Sequence, residues 1–140
     1  MSAFENAKKF FAACEAPEGW VGCAPYCADG ATFRAQSEPI ADMDSLQAYA
    51  EWMKGFGTVT APGATYTLHA SAWDEDNRTA LFFATYHATH SGEGGPVAAT
   101  GKSTNSDYVY AVTMGDDDKV THMTKTWNAP WALRELGWAD

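Results

Sequence analysis

The chain is short of positive charge. Nine Lys and Arg face 18 Asp and Glu over 140 residues, a formal net charge of −9. The basic residues (Lys8, Lys9, Arg34, Lys54, Arg78, Lys102, Lys119, Lys125, Arg134) are scattered. No basic stripe is available to neutralise phosphates, which argues against a nucleic-acid partner and disfavours a polyanionic substrate. A neutral or apolar small molecule fits better. Cysteine is scarce and odd in number: Cys14, Cys23 and Cys27. Their spacing matches no common zinc signature, so they read as free thiols acting as small buried apolar residues, with a metal or redox role as the alternative. No apolar run reaches the ~18 residues of a membrane span. The lysines of the first eleven residues lie within a helical pattern and not ahead of an apolar stretch, unlike a signal peptide. These absences lead to the expectation of a soluble cytoplasmic protein. Internal repeats, low-complexity tracts and linkers are also missing.

What is present is apolar and aromatic. Hydrophobic residues make up 46% and aromatic residues 14% of the chain, enough for one packed domain over 1–140. Ser2 with Glu5 forms a capping-box pattern ahead of an apolar stripe at Phe4, Ala7, Phe11 and Cys14, which predicts a first helix ended by Pro17 and Gly19. Residues 18–30 read as a short irregular helix and 31–36 as a short strand. A further helix is predicted from Asp44, paired with Gln47, with Leu46, Tyr49, Ala50, Met53 and Phe56 on its apolar face. After Gly63 the period changes to two. Strands are predicted over 66–72, 79–89, 103–114 and 119–127, the second buried on both faces, with turns at 74–77 and 115–118 and a Gly/Pro-containing loop over 91–102. Residues 129–138 read as a short helix or coil with Pro130 near its start. Helices first and a strand meander after imply α+β: a curved antiparallel sheet wrapped on N-terminal helices, enclosing a pocket.

The element order resembles the nuclear-transport-factor-2-like superfamily and, within it, the SnoaL-like polyketide cyclase group. Ala88-Thr89-His90-Ser91-Gly92 looks like that group's strand-ending Gly-Thr-His-Thr-Gly. Pro96 and Thr100-Gly101-Lys102 look like its return, Asp107 falls at the acid position of the next strand, and Lys119-Val120 and Trp127 resemble its last strand. The resemblance implies a cone-shaped fold with an apolar cavity open at one end, a homodimer, and an aspartate general acid/base with a nearby histidine. It departs at His122, where cyclases often carry an acid.

The candidate site follows from both readings. Asp107 stands in an otherwise apolar strand, where Asp is disfavoured unless paired or functional; burial on a pocket wall would raise its pKa towards neutrality. Its bland alternative is a carboxylate facing water. His90 shares a face with Ala88 and Tyr86 and is the expected partner of Asp107, or else a loop-edge histidine. His87 lies on the opposite face, so a shared metal centre of His87, His90, His122 and Asp107 is not expected. Tyr86, Trp20, Tyr26 and Trp127 are candidate aromatic lining. His122 shares a face with Val120, Thr124, Thr126 and Asn128, and with Asn128 is a further candidate binding residue. The expected chemistry needs no cofactor, because a carbonyl acidifies its own α position: Asp107 would move a proton and His90 hydrogen-bond the oxygen of a small, largely apolar carbonyl compound, in a cyclase, isomerase or dehydratase step. A non-catalytic binding or dimerising module of the same fold is the alternative.

Overall fold

The computed structural model describes residues 2–139. Helix α1 (Ala3–Glu15) starts where the sequence places it, with Ser2 Oγ accepting from the Glu5 amide at 3.1 Å. Its buried stripe of Ala7, Phe10, Phe11 and Cys14 packs on the sheet. The irregular helix expected over 18–30 is shorter: α2 (Gly19–Cys23) and a 3-10 turn over Ala24–Tyr26 lead straight into β1 (Cys27–Ala35). Helix α3 (Leu46–Gly55) is capped by Ser45, not Asp44, through a 3.1 Å bond from the Ala48 amide. A single π turn over Phe56–Thr60 extends it and carries Phe56 inward.

The strands are β2 (Thr65–Asp74), β3 (Thr79–Thr89), β4 (Ser103–Met114) and β5 (Val120–Trp127). Helix α4 (Ala129–Glu135) follows. The sheet runs β1-β5-β4-β3-β2. β2 to β5 form the expected antiparallel meander, but β1 joins β5 in parallel, so the sheet is mixed. Residues 36–119 serve as the crossover that a parallel pairing requires. The sheet is curved and open, and the helices cover its inner face.

Strand parity decides which side chains enter. Along β4 the inward row is Thr104, Ser106, Tyr108, Tyr110, Val112 and Met114, all buried. Along β3 it is Ala80, Phe82, Ala84, Tyr86 and Ala88. Leu81 and Phe83 face outward at 43% and 42% exposure, so β3 is not buried on both faces. On β5, one extra residue lies between the pairs Met114↔Val120 and Thr113↔His122. This bulge shifts parity by one: Val120 is inward, and beyond it Met123, Lys125 and Trp127 are inward instead of Thr124 and Thr126.

The loop after β3 is fixed at its base. Its His90 amide donates to Lys102 O and the Gly101 amide to His90 O. The Gly92 amide reaches Thr60 O at 2.9 Å, and a Cβ on Gly92 would sit 1.8 Å from Val59 O. Only glycine allows that approach.

Candidate functional site

Between the inner face of the sheet, α3 and α4 lies a cavity of about 400 Å³, within the range that small-molecule sites occupy. Its walls are mostly aromatic and aliphatic: Trp52, Met53 and Phe56 from α3 and its π turn, Tyr86 and Tyr108 from the sheet, Trp127 from β5, and Ala132, Leu133, Leu136 and Trp138 from the C-terminal segment. Two ionisable side chains break this apolar lining, Glu15 and Lys125. Both are buried, at 1% and 6% exposure.

Each arrives there by simple periodicity. Ala7, Phe11 and Glu15 follow at four-residue steps on the buried face of α1, which places a carboxylate at the inner end of an apolar stripe. Lys125 sits between Met123 and Trp127 at a spacing of two on the inward row of β5. The two groups are joined by tyrosines. Lys125 Nζ donates to Tyr49 Oη at 2.8 Å, Tyr49 Oη meets Tyr110 Oη, and Tyr110 Oη donates to Glu15 Oε1 at 2.5 Å. Tyr108 Oη donates to Glu15 Oε2. Since the Tyr110 proton is committed to Glu15, Tyr49 is the donor to Tyr110. The result is an unbroken line of hydroxyls from amine to carboxylate, with both carboxylate oxygens engaged.

Burial sets the electrostatics. It drives the Glu15 carboxyl above the usual carboxylate range, against the opposing pull of Lys125 and the donors Tyr108 and Tyr110. It drives the Lys125 amine down to about 8, against the Glu15 charge. Tyr49, Tyr108 and Tyr110 are held well above the ordinary phenol value by burial and then by the Glu15 charge, so they remain protonated donors. Lys125 is also ringed by aromatic faces, with Nζ 4.8 Å from the Trp127 ring, 5.1 Å from Tyr49 and 5.3 Å from Tyr108. Such faces favour a cation but give its N–H groups no strong acceptor. One further polar atom points to a ligand: Tyr86 Oη is buried with no hydrogen-bond partner among the described residues, a rarity that calls for an explanation.

The residues expected from the sequence fall into three groups. Tyr86 and Trp127 line the cavity. His90 is fully buried and faces inward with Ala88 and Tyr86, but both ring nitrogens are used. Trp138 Nε1 donates to its Nδ1 at 2.8 Å, so the proton is on Nε2, which donates to Gly94 O at 3.1 Å. His90 therefore holds Trp138, a wall of the cavity, in place without lining the cavity itself. Asp107 is the main correction. Register pairs it with Thr85, and both lie on the outer, exposed face, where Thr85 Oγ1 donates to Asp107 Oδ1 at 2.7 Å. The expected Asp107–His90 pair is not formed, because residue 107 belongs to the outward parity of β4 and residue 90 to the inward parity of β3. His122 and Asn128 are likewise outside. His122 binds Thr32 Oγ1 at 2.7 Å and Thr124 Oγ1 at 3.0 Å, since the β5 bulge turned its row outward. Trp20 and Tyr26 pack half-buried against the core, away from the cavity. His87 faces outward between Thr67 Oγ1 and Asn105 Oδ1, at 2.8 and 2.7 Å. Among the described residues no three His, Cys, Asp or Glu side chains converge as metal ligands, and the three cysteines are free and buried. No helix among these residues is long and apolar enough to cross a membrane.

Sequence reasoning missed Glu15, Lys125, Tyr49, Tyr108 and Tyr110. A signal existed for Glu15, a charged residue at the apolar phase of its helix, and for Tyr49, Tyr108 and Tyr110, polar-tipped aromatics in the buried phase of α3 and β4; for Lys125 the β5 bulge hid it.

No protein-family model matches the chain, and no curated protein matches it significantly. Solved structures do. AclR from Streptomyces galilaeus superimposes with a TM-score of 0.76 at 19% identity, covering 99% of this chain and 86% of that one. An NTF2-like protein from Burkholderia thailandensis gives 0.75 at 14% identity, covering 97% and 98%. IdmH from Streptomyces antibioticus, provisionally described as a polyketide cyclase, gives 0.76 at 13% identity, covering 98% and 99%. At these identities the likeness is one of fold: the chain has the NTF2-like fold that its element order resembles.

Proposed function

We propose that the protein is a cofactor-independent acid/base enzyme acting on a small, largely apolar carbonyl compound, in a step of the cyclase, isomerase or dehydratase type. The observation that carries this reading is Glu15: a carboxyl buried at the wall of an apolar cavity and wired through tyrosine hydroxyls to a second ionisable group. A carboxyl raised by desolvation is matched to taking and returning a proton near neutral pH. Glu15 thus takes the role expected of Asp107. The unpartnered Tyr86 hydroxyl takes the oxygen-binding role expected of His90, donating to the oxygen on which charge develops. The aromatic walls exclude water and suit a flat or ring-forming molecule. The provisional description of IdmH as a polyketide cyclase agrees with chemistry of this class on this fold, although the fold alone does not choose a reaction.

The test uses small apolar ketones in deuterated buffer, cyclohexanone and 1-tetralone among them, with loss of the α-hydrogen signal followed by proton NMR. The enzyme reading expects exchange well above the buffer rate, strongly reduced in the Tyr86→Phe variant. Binding of these ketones without exchange would instead leave a ligand-binding cavity with no chemistry.

We further propose a homodimer formed through the outer face of the sheet. Leu81 and Phe83 are each more than two-fifths exposed there, on a face otherwise laced by cross-strand hydrogen bonds such as His69 Nε2 to Thr85 Oγ1. Light scattering is expected to give twice the chain mass. The Leu81→Lys, Phe83→Lys double variant is expected to be a folded monomer; a monomeric wild type rejects the dimer.

A further inference from the structure

Lys125 is the group that acid/base chemistry by Glu15 leaves without a defined task. It is a buried amine in the wall of an apolar cavity. Among the described residues no carboxylate lies within ion-pair distance of it; the ion pairs there are Lys8–Glu5 and Arg78–Asp118. Its polar partner is Tyr49 Oη, which leaves two of its three N–H groups among aromatic faces. A lysine in such a place costs stability, and an apolar residue of the same length would fill the space better. Its surroundings do suit a nucleophile. A desolvated amine has its lone pair available at moderate pH, consistent with its lowered pKa. The hydroxyls of Tyr49 and Tyr110 lead from Nζ to the Glu15 carboxylate, a path for the proton the amine must lose.

We infer that Lys125 forms a covalent iminium with the carbonyl carbon of the substrate, so that the cavity takes an aldehyde or ketone whose carbonyl reaches the Trp127–Tyr108 wall. This rests on the reading of the cavity as a carbonyl site and adds a covalent step to it. The Nζ lone pair forms the C–N bond while the C=O π pair moves to oxygen, which takes a proton from the hydroxyl of Tyr86; Tyr86 then recovers a proton from solvent, the one proton consumed overall. Nitrogen sheds one proton along Tyr49 and Tyr110 to Glu15. That proton returns to the carbinol oxygen, which departs as water as the nitrogen lone pair closes the C=N bond. In sum, amine, carbonyl compound and one proton give iminium and water. The iminium acidifies the neighbouring carbon far more than the parent carbonyl does, and Glu15 then removes the α-proton to give the enamine, the carbon nucleophile of an intramolecular ring closure.

The experiment traps the adduct. Protein, cyclohexanone or benzaldehyde, and sodium cyanoborohydride are incubated, and the digest is read by mass spectrometry. Hydride delivered to the iminium carbon leaves a secondary amine on the modified lysine. The expected result is at least tenfold faster labelling of Lys125 than of Lys8, Lys9, Lys54, Lys102 or Lys119. In parallel, carbonyl-13C-labelled cyclohexanone is observed by NMR in the absence of reductant. A bound imine resonance is expected with the wild type and none with the Lys125→Met variant, whose fold is checked by near-ultraviolet circular dichroism. Labelling of Lys125 no faster than of the surface lysines, together with no imine resonance, overturns the inference. If α-hydrogen exchange persists in that case and depends on Glu15, the acid/base reading stands without the covalent step. If exchange is absent as well, both fall.

Discussion

The Glu15→Gln variant is expected to lose turnover by about 10²–10⁴-fold, the usual contribution of a positioned acid/base group, while remaining folded. Glutamine matches glutamate in shape. Its carbonyl oxygen still accepts from one of the two tyrosine hydroxyls that reach Glu15 now, so the wall of the cavity keeps its form. What disappears is the ability to hold a proton between cycles. Affinity for an apolar ligand is expected to change only a few-fold, because the binding surface is supplied by Trp52, Phe56, Trp127 and Trp138. The paired control is Asp107→Asn. Asp107 lies on the outer face and binds Thr85, so turnover is expected to stay within about twofold of wild type. Steady-state kinetics on both variants, with any ketone that undergoes exchange, discriminates the two carboxylates; a collapse in Asp107→Asn with normal Glu15→Gln would sink the assignment of Glu15.

Lys125→Met is expected to raise stability at pH 7 while abolishing imine formation. The sign follows from linkage. The folded-state pKa of Lys125, about 8, lies below the ordinary 10.5, so the unfolded chain binds this proton more tightly than the folded one. The cost is fully present below pH 8 and is relieved as pH rises towards 10.5. A difference of 2.5 between those two values, at about 1.4 kcal/mol per unit, makes the cost on the order of 3 kcal/mol at pH 7. Methionine removes it and keeps the four-atom stem packed among the rings. Part of the gain is lost because Glu15 then lacks its opposing charge, so a net stabilisation of about 1–3 kcal/mol is expected from urea denaturation at pH 7. The difference between variant and wild type should shrink between pH 7 and pH 9.5, as wild-type Lys125 loses its proton within the fold. A difference that is constant over this range would show that the amine does not titrate there. A protein that keeps a destabilising lysine in its interior is expected to do so for chemistry.

The same cavity explains how far the sequence could be read. Helical spacing after Ser2, the change to period two after Gly63 and the turn chemistry at 74–77 and 115–118 were sufficient for the α+β class, because these signals are local and the core demanded no exception to them. Placement of Tyr86 and His90 on one face and His87 on the other also followed from alternation alone, and the structure has it so. Alternation failed where a non-local pairing intervened. The bulge at Thr121 exists only because β5 must match β4, and it exchanged the inward row of β5 from His122 and Thr124 to Lys125 and Trp127. The parity of Asp107 is readable within its own strand, since Tyr108 and Tyr110 are the bulky buried pair.

What the amino-acid sequence determined by itself is the type and order of the elements and the apolar phase of the helices, including Glu15 in that of α1. What only the tertiary structure decided is that Lys125 faces inward and that it meets Glu15. Glu15 ends the first helix and Lys125 lies on the last strand, 110 positions later, and no local rule relates them. The packed fold brings α1 and β5 to the wall of one cavity, and three tyrosines from α3 and β4 join the two groups. Polar groups buried that far from water must find one another or remain unsatisfied, and that requirement, exerted through the packed fold, makes the two charges one site.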